Sequence, residues 1–190
     1  MLCGHVDTVD ARKPLDRPTI VDAALGLLDE VGLDNMSTRR LAARLGVKGP
    51  SLYWHVKGIG ELHALMADVM LAGWLPAPNA PGDWRAWLAS GARGFRKAAL
   101  SRRDGARLLA GARPTEARRA LRFPSNVRRL QNAGFSEDDA RTCFLVLSRF
   151  AMGWALAEQA GHRPGHRSEA DFELGLGAML DGLSLRRGLD

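Results

Sequence analysis

Residues 37–57 read STRRLAARLGVKGPSLYWHVK. Five of them are basic (Arg39, Arg40, Arg44, Lys48 and Lys57) and none is acidic. Leu41, Ala42 and Leu45 recur at helical spacing behind Ser37 and Thr38, either of which can cap a helix by accepting an orphan backbone N–H. Gly46 permits a tight turn. Pro50 suits the first turn of a second helix, where its missing N–H leaves no bond unmade. Leu52 and Val56 then point inward. Two short helices joined through a glycine, with small residues where they cross, form a helix-turn-helix. In that arrangement the second helix enters the DNA major groove and the first crosses the backbone. Ser51, Tyr53 and His55 would present hydroxyl and imidazole tips to phosphates or base edges. Arg39, Arg40 and Lys57 are natural phosphate contacts, which position a protein without reading sequence. Trp54 is expected to be the packing residue, wedging the short second helix onto its domain. The bland alternative is a solvated basic face with a surface histidine and two core aromatics.

Outward from this segment the helical pattern continues in both directions. Ile20, Ala24, Leu27, Leu28 and Val31 form an apolar stripe that Gly32 can end in the left-handed conformation. Residues 1–16 read as a flexible tail. On the other side, Leu62, Leu65, Met66, Val69 and Met70 predict a connecting helix over 60–74. Pro76, Pro78, Pro81 and Gly82 then break the chain. The division expected is a tail over 1–16, a DNA-binding domain over 17–60 and a second domain over 61–190.

The second half is also helical. Asp83 can cap a helix that carries Trp84, Trp87, Leu88 and Phe95, and Gly111 with Pro114 interrupts it. A helix over about 115–132 ends at Gly134. Ser136-Glu-Asp-Asp139 is a capping signature with acids in the first turn. The helix it opens runs to about 160 with two apolar stripes, one through Cys143, Leu147, Phe150 and Trp154, the other through Leu145, Met152 and Leu156. Ser168-Glu-Ala-Asp171 repeats the capping pattern before Phe172, Leu176, Met179, Leu180 and Leu183. A helix apolar most of the way round calls for burial on more than one face. No alternating strand pattern of useful length occurs, so the expected fold class is all-α.

Composition sets outer limits. The chain has 190 residues, 46% hydrophobic, with a formal net charge of +6, enough for a core and suited to a polyanionic partner. The two cysteines, Cys3 and Cys143, lie far apart and offer neither a disulfide framework nor metal-ligand spacing, as in a reducing cytoplasm. No signal peptide and no run of about 18 apolar residues is present, so no membrane role is expected. No G-x-S-x-G, H-E-x-x-H or Walker loop occurs, and the five histidines are scattered. An enzyme is therefore not expected.

These residues carry a family resemblance. Residues 20–71, above all LAARLGVKGPSLYWHVK, resemble the DNA-binding domain of the tetracycline-repressor (TetR) family. Leu100-Ser-Arg-Arg-Asp-Gly-Ala106, Gly111-Ala-Arg-Pro-Thr-Glu116 and Asn132-Ala-Gly-Phe-Ser136 resemble the family's namesake beyond the linker. The resemblance implies a homodimer with a three-helix head on double-stranded operator DNA. The body would dimerise through a four-helix bundle and hold a small-molecule effector that releases the DNA. By the same resemblance Thr38, Arg39, Gly49, Pro50, Ser51, Tyr53, His55 and Lys57 occupy the DNA-contacting positions, and Arg40 and Lys48 join the expected set as cations of the same segment. Lys48 stands where the namesake has an acid, and Gly49 where it has a base-reading Gln, so operator preference should differ. An effector-insensitive regulator or an activator of the same fold, with a vestigial pocket, is the alternative.

The resemblance places the effector positions at Gly91, Phe95, Leu109, Arg113, Pro114 and Arg149, and Trp87, Phe144 and Trp154 are candidate pocket walls or plain core. The namesake holds a magnesium–tetracycline chelate through histidines and polar side chains. Its two metal-side histidine positions fall near Leu75 and at Leu109, and later His and Glu positions at Arg149 and Ala157. Leucine neither coordinates magnesium nor anchors its waters, so no metal and no other cofactor is expected, and the effector should be aromatic or largely apolar. Arg149 shares a stripe with Leu145, Met152 and Leu156. If buried, its guanidinium needs a partner: a ligand anion, Glu158 or an acid across the dimer. If the stripe's edge is exposed, Arg149 reaches water.

Overall fold

The computed structural model describes residues 15–73, 76–77, 79, 82–113, 115–161 and 166–187, with the side chains of 117–123 and 166–167 left aside. The amino-terminal tail up to residue 14, Leu75, Pro78, Pro81 and Pro114 lie outside the described residues. Those residues form nine α-helices and no strand. In chain order these are α1 (Arg17–Val31), α2 (Thr38–Leu45), α3 (Gly49–Tyr53), α4 (Ile59–Ala72), α5 (Trp84–Leu100), α6 (Gly105–Gly111), α7 (Glu116–Asn132), α8 (Glu137–Gln159) and α9 (His166–Ser184). A single 3-10 turn, Leu33–Asn35, follows α1.

Local chemistry explains most of the boundaries. Asp16 accepts from the Thr19 N–H at 2.8 Å and starts α1. Ser37 does the same for α2 through the Arg40 N–H, Asp83 for α5 through Ala86, and Ser136 for α8 through Asp139. Each satisfies a donor that a helix start leaves open. Gly46 ends α2 at φ 65°, the left-handed turn that makes room for α3. The capping signature at Ser168 misleads. The last helix already begins at His166, and Ser168 lies inside it, 1% exposed. Its hydroxyl donates to Glu158 at 2.5 Å instead of accepting from its own helix.

Two apolar clusters organise the molecule. The first joins α1 to α4 through Ile20, Leu28, Leu41, Leu52, Val56, Leu62 and Met66, and extends into the body through Ala99, Ala106, Leu108, Leu109 and Ala155. The second joins α5, α7, α8 and α9 through Trp84, Trp87, Leu130, Phe135, Leu147, Phe172 and Leu176. Phe95 packs against both. Gly175 lets α8 and α9 close together: a Cβ there would meet the Phe150 ring at 3.0 Å.

Head and body are also tied by polar bonds. Arg102 reaches Asp29 at 2.5 Å, Arg103 the Glu30 carbonyl at 2.8 Å, and Arg107 Asp34 at 2.6 and 3.0 Å. The Leu33 N–H donates to Asp104 at 2.9 Å. Asp104 has φ 54°, and Gly105 follows so closely on the α5 terminus that a Cβ would lie 2.4 Å from the Ala99 carbonyl oxygen. That glycine is required by contact with backbone, which cannot yield.

Candidate nucleic-acid interface and effector core

α2 and α3 meet as a helix-turn-helix. Leu52 and Val56, 3% and 2% exposed, anchor the α3 segment to the cluster beneath. Arg17 fastens its far end, donating from Nε to the His55 carbonyl at 3.0 Å and from Nη2 to Glu61 at 3.2 Å. Glu61 also accepts the Lys57 N–H at 2.7 Å. The short α3 is thus held by two inward side chains and a polar strap, which leaves its outer face unobstructed.

Trp54 departs from its expected role. It is 88% exposed, so it does not wedge α3 onto the domain. It sits at the cap of α3, one residue after Tyr53, which is 56% exposed. Five residues cannot direct both neighbouring aromatics inward, and Leu52 takes the inner position. Two large aromatic surfaces therefore stand in water on the groove-facing helix.

Arg39, Arg40, Lys48, Pro50, Ser51 and Lys57 are exposed; Thr38, Gly49 and His55 are half-buried. Thr38, Arg39, Gly49 and Tyr53 line one open groove with Ala42, Ala43 and Val47. Arg44 separates from the other cations. It bonds Glu30 at 2.6 Å and lies over Gly26, so its charge is used within the head. No carboxylate among the described residues pairs with Arg39, Arg40, Lys48 or Lys57.

In the body, aromatic side chains converge. Trp87 is 4% exposed, meets Phe144 edge to face at 5.3 Å, and donates its indole N–H to the Ala77 carbonyl at 3.0 Å. Trp154 packs on Phe150 and Phe172. Gly91 faces the Pro76 ring: a Cβ there would stand 3.8 Å from it. Leu109, 6% exposed, belongs to the neighbouring cluster. Arg113 and Arg149 are exposed in the protomer and do not join the aromatic group. Arg149 follows Leu145 and Val146, themselves 45% and 36% exposed, on the outer face of α8. The guanidinium that packs inward in the protomer is a different one, half-buried on α5.

That guanidinium is Arg96. It bonds Glu158 through two N–H groups at 2.9 and 2.7 Å, the side chains being 13% and 12% exposed, and its Cζ lies 4.9 Å from the Phe172 ring centre. Glu158 also accepts from Ser168, whose hydroxyl accepts the Trp154 indole N–H at 3.0 Å. Burial works to raise the Glu158 carboxyl, but the bonds from Arg96 and Ser168 outweigh it and hold it below its ordinary range. Sequence patterning missed this pair because Arg96 is one of three arginines on α5 and nothing local marks it as inward. Asn126 on α7 has a buried Oδ1 with no hydrogen-bond partner among the described residues. A buried acceptor left open is uncommon and costly. Cys143, by contrast, is inert: burial, with Asp139 beside it, pushes its thiol up to about 11.

This architecture, a compact cationic helix-turn-helix seated on a helical body with an aromatic interior, matches one class of protein in direct comparison. Residues 20–62 match the family model "Bacterial regulatory proteins, tetR family", and residues 75–170 match "Tetracyclin repressor-like, C-terminal domain". The chain belongs to the TetR family of ligand-responsive, DNA-binding transcriptional repressors. It is 40% identical over 196 residues to the class A tetracycline repressor protein from transposon 1721 of Escherichia coli, covering 89% of this chain and 90% of that protein. A solved structure of class A TetR with 5a,6-anhydrotetracycline and magnesium superposes with a TM-score of 0.78 at 42% identity, covering 91% of this chain and all of that one. ActR of Streptomyces coelicolor in complex with actinorhodin superposes with a TM-score of 0.81 at 29% identity, covering 93% and 98% of the two chains. The family is one of transcriptional regulators, not of enzymes.

Proposed function

We propose that this protein is a homodimeric repressor of the cytoplasm that grips a palindromic operator with two copies of α3 and is released by an aromatic, largely apolar effector. The observation that carries the DNA half is the set of exposed, acid-free cations Arg39, Arg40, Lys48 and Lys57 around the exposed face of α3. Phosphate neutralisation by such cations supplies affinity, and its signature is a steep loss of binding with salt. The exposed apolar side chains Leu145 and Val146 on α8 and Leu174 on α9, the last 75% exposed, support dimerisation through those helices. Two heads would then meet half-sites about 34–36 Å apart.

The effector reading rests on what lines the body. Trp87, Phe95, Phe144, Trp154 and Leu109, which belong to or pack against the two apolar clusters, would form its apolar wall with Gly91. Arg113, Pro114 and Arg149 would contribute at its mouth or across the dimer. A magnesium-bound effector does not fit this donor set. Leu109 offers no ligand atom where the resemblance puts a metal-side histidine. Release follows from linkage: the effector must prefer a body conformation in which the heads no longer match the operator. Two connections could carry it. One is the Arg102–Arg107 contact with α1. The other is the 2.5 Å bond from Thr115, beside Arg113, to Asp68 on α4.

A mobility-shift titration with the palindrome upstream of the protein's own gene tests the first half. Binding is expected at low salt and should fall as salt rises; no binding to any such duplex ends the repressor reading. A thermal-shift screen of aromatic natural products and tetracyclines, each with and without magnesium, tests the second. The expected result is a rise in Tm that magnesium does not alter. A rise that requires magnesium would overturn the metal-free reading.

A further inference from the structure

α6 starts without a cap of its own. Its N-cap residue is Asp104, but the Asp104 side chain accepts no backbone N–H of that helix. The carboxylate is turned to the head instead. One oxygen takes the Leu33 N–H at 2.9 Å and the other the Arg107 guanidinium at 3.2 Å. The seam is tight there: a Cβ on Gly32 would stand 2.9 Å from the oxygen that holds Leu33. The α6 donor this leaves over is the Ala106 N–H, on a residue with no exposed surface. An unmet donor in such a place is costly. Gln159, the last residue of α8, meets it at 2.9 Å through Oε1. The Gln159 Nε2 donates to the Ala99 carbonyl at 3.2 Å and to the Arg102 carbonyl at 2.8 Å. One side-chain amide thus closes three backbone groups of the α5–α6 turn. Glu158, the residue before it, is fixed by Arg96 and Ser168, which holds the end of α8 in place. From the other side of the same turn, Arg102 and the Arg103 N–H bond Asp29, and the Arg103 guanidinium bonds the Glu30 carbonyl.

We propose that Gln159 is a positioning residue for operator binding: by capping α6 from α8, it leaves the Asp104 carboxylate to hold the head. Ala106 is the second residue of α6, the position an N-cap carboxylate ordinarily serves. Without the Gln159 oxygen, the Ala106 N–H draws Asp104 back to its own helix, and the Leu33 N–H loses its acceptor. α1 is then less firmly set on the body, and the recognition helices it carries must be ordered when DNA binds. α8 is also one of the helices proposed to form the dimer seam, so each head is referred to that seam through one amide. The inference rests on operator binding and adds to it a residue far outside the helix-turn-helix.

The test uses the full chain, a palindromic duplex from upstream of its gene, and a double-mutant cycle of Gln159→Met with Asp104→Gly. Gln159→Met keeps the length of the side chain and removes its acceptor. In fluorescence anisotropy at fixed salt it should weaken operator binding roughly 5-fold or more. In the Asp104→Gly background, where the head bond is already gone, it should have no further effect. Without DNA, hydrogen exchange of the Leu33 amide should be faster in Gln159→Met than in the wild-type chain. Weakening by the same factor in both backgrounds, unchanged or tighter binding, or a Leu33 amide as protected as before would show a local cap only and overturn the assignment. Should Gln159→Met fail to fold, Gln159→Glu, which keeps an oxygen for the Ala106 N–H, must keep the Leu33 amide protected; loss of that protection overturns the assignment equally. A wild-type chain that binds no palindromic duplex would defeat operator binding and the assignment with it, whereas Leu33 exchange reads the Gln159–Asp104 link without DNA.

Discussion

The head and the body treat arginine and lysine in opposite ways. On α5 the three arginines face inward or sideways to acids of α8 and α9, Arg85 to Asp181, Arg93 to Glu173 and Arg96 to Glu158, while Lys97 is exposed. On α2 and α3 most cations face outward to nothing, and Arg44 alone among the five of that segment is neutralised, by Glu30. Both regions are rich in arginine, so composition does not separate them. The difference is where the acids are. A cation beside an acid spends its charge on the fold, whereas one kept clear of acids leaves its field for a partner. Aromatics divide the same way. Trp84 and Trp87 are 9% and 4% exposed in the body, while Trp54 is 88% exposed in the head.

Several variants can break or sharpen this contrast, and the largest effect is expected in the body. Glu158→Ala strands Arg96 beside Phe172 and should destabilise the protein by about 3 kcal/mol in urea unfolding. Replacing both partners, Arg96→Met with Glu158→Leu, should recover most of the loss. If the single variant costs nothing, the pair is not buried in solution and the contrast fails. In the head, Leu52→Ala should cost about 2–3 kcal/mol of stability by opening a cavity under α3.

Removing head cations should leave stability alone and act on DNA. Arg39→Ala and Lys57→Ala should each weaken operator binding at every sequence and lower the salt slope by about one per protomer, read from anisotropy titrations over a salt series. A loss of thermal stability instead would show that these side chains serve the fold. Trp54→Ala is expected to change unfolding free energy by no more than about 0.5 kcal/mol, as at other exposed positions. A larger loss would restore Trp54 as a packing residue.

The smallest effect is a pH dependence. Glu158 titrates below its ordinary value of 4.5 in the folded state, because the bonds from Arg96 and Ser168 overcome the opposing pull of burial. Its contribution is therefore complete above about pH 4.5 and is lost as pH falls through the lower, folded value. Glu158→Gln should flatten that part of the acid limb in a pH series of melting temperatures. An unchanged acid limb would show that Glu158 is solvated.

Much of the architecture was legible in local patterning. The stripes of α1, α4 and α8 and the caps at Ser37, Asp83 and Ser136 are set by chemistry a few residues long, and the structure repeats them except at Val69 and Leu145, which are exposed. The turn at Gly46 and the inward Leu52 and Val56 follow from the same short-range rules. Ser168 shows where that logic ends. It has the right type and spacing for a cap, but a buried carboxylate on α8 offered its hydroxyl a charge-assisted bond, which is stronger than the one its own helix could provide. Trp54 fails for a related reason: aromatic character signals a preference for burial, but a five-residue helix has one inner face and Leu52 holds it.

The amino-acid order by itself determined that this chain is helical, that its segment 37–57 is a cationic turn between two short helices, and that no acid interrupts that charge. Each of these depends on neighbours within one or two turns. Tertiary structure alone decided which arginines pair with acids inside the protein and which stand in water, that Arg96 rather than Arg149 packs inward, and that Asn126 has an acceptor with no partner among the described residues. Those outcomes depend on groups that lie tens of residues apart in sequence, such as Arg96 and Glu158, and meet only when the helices pack.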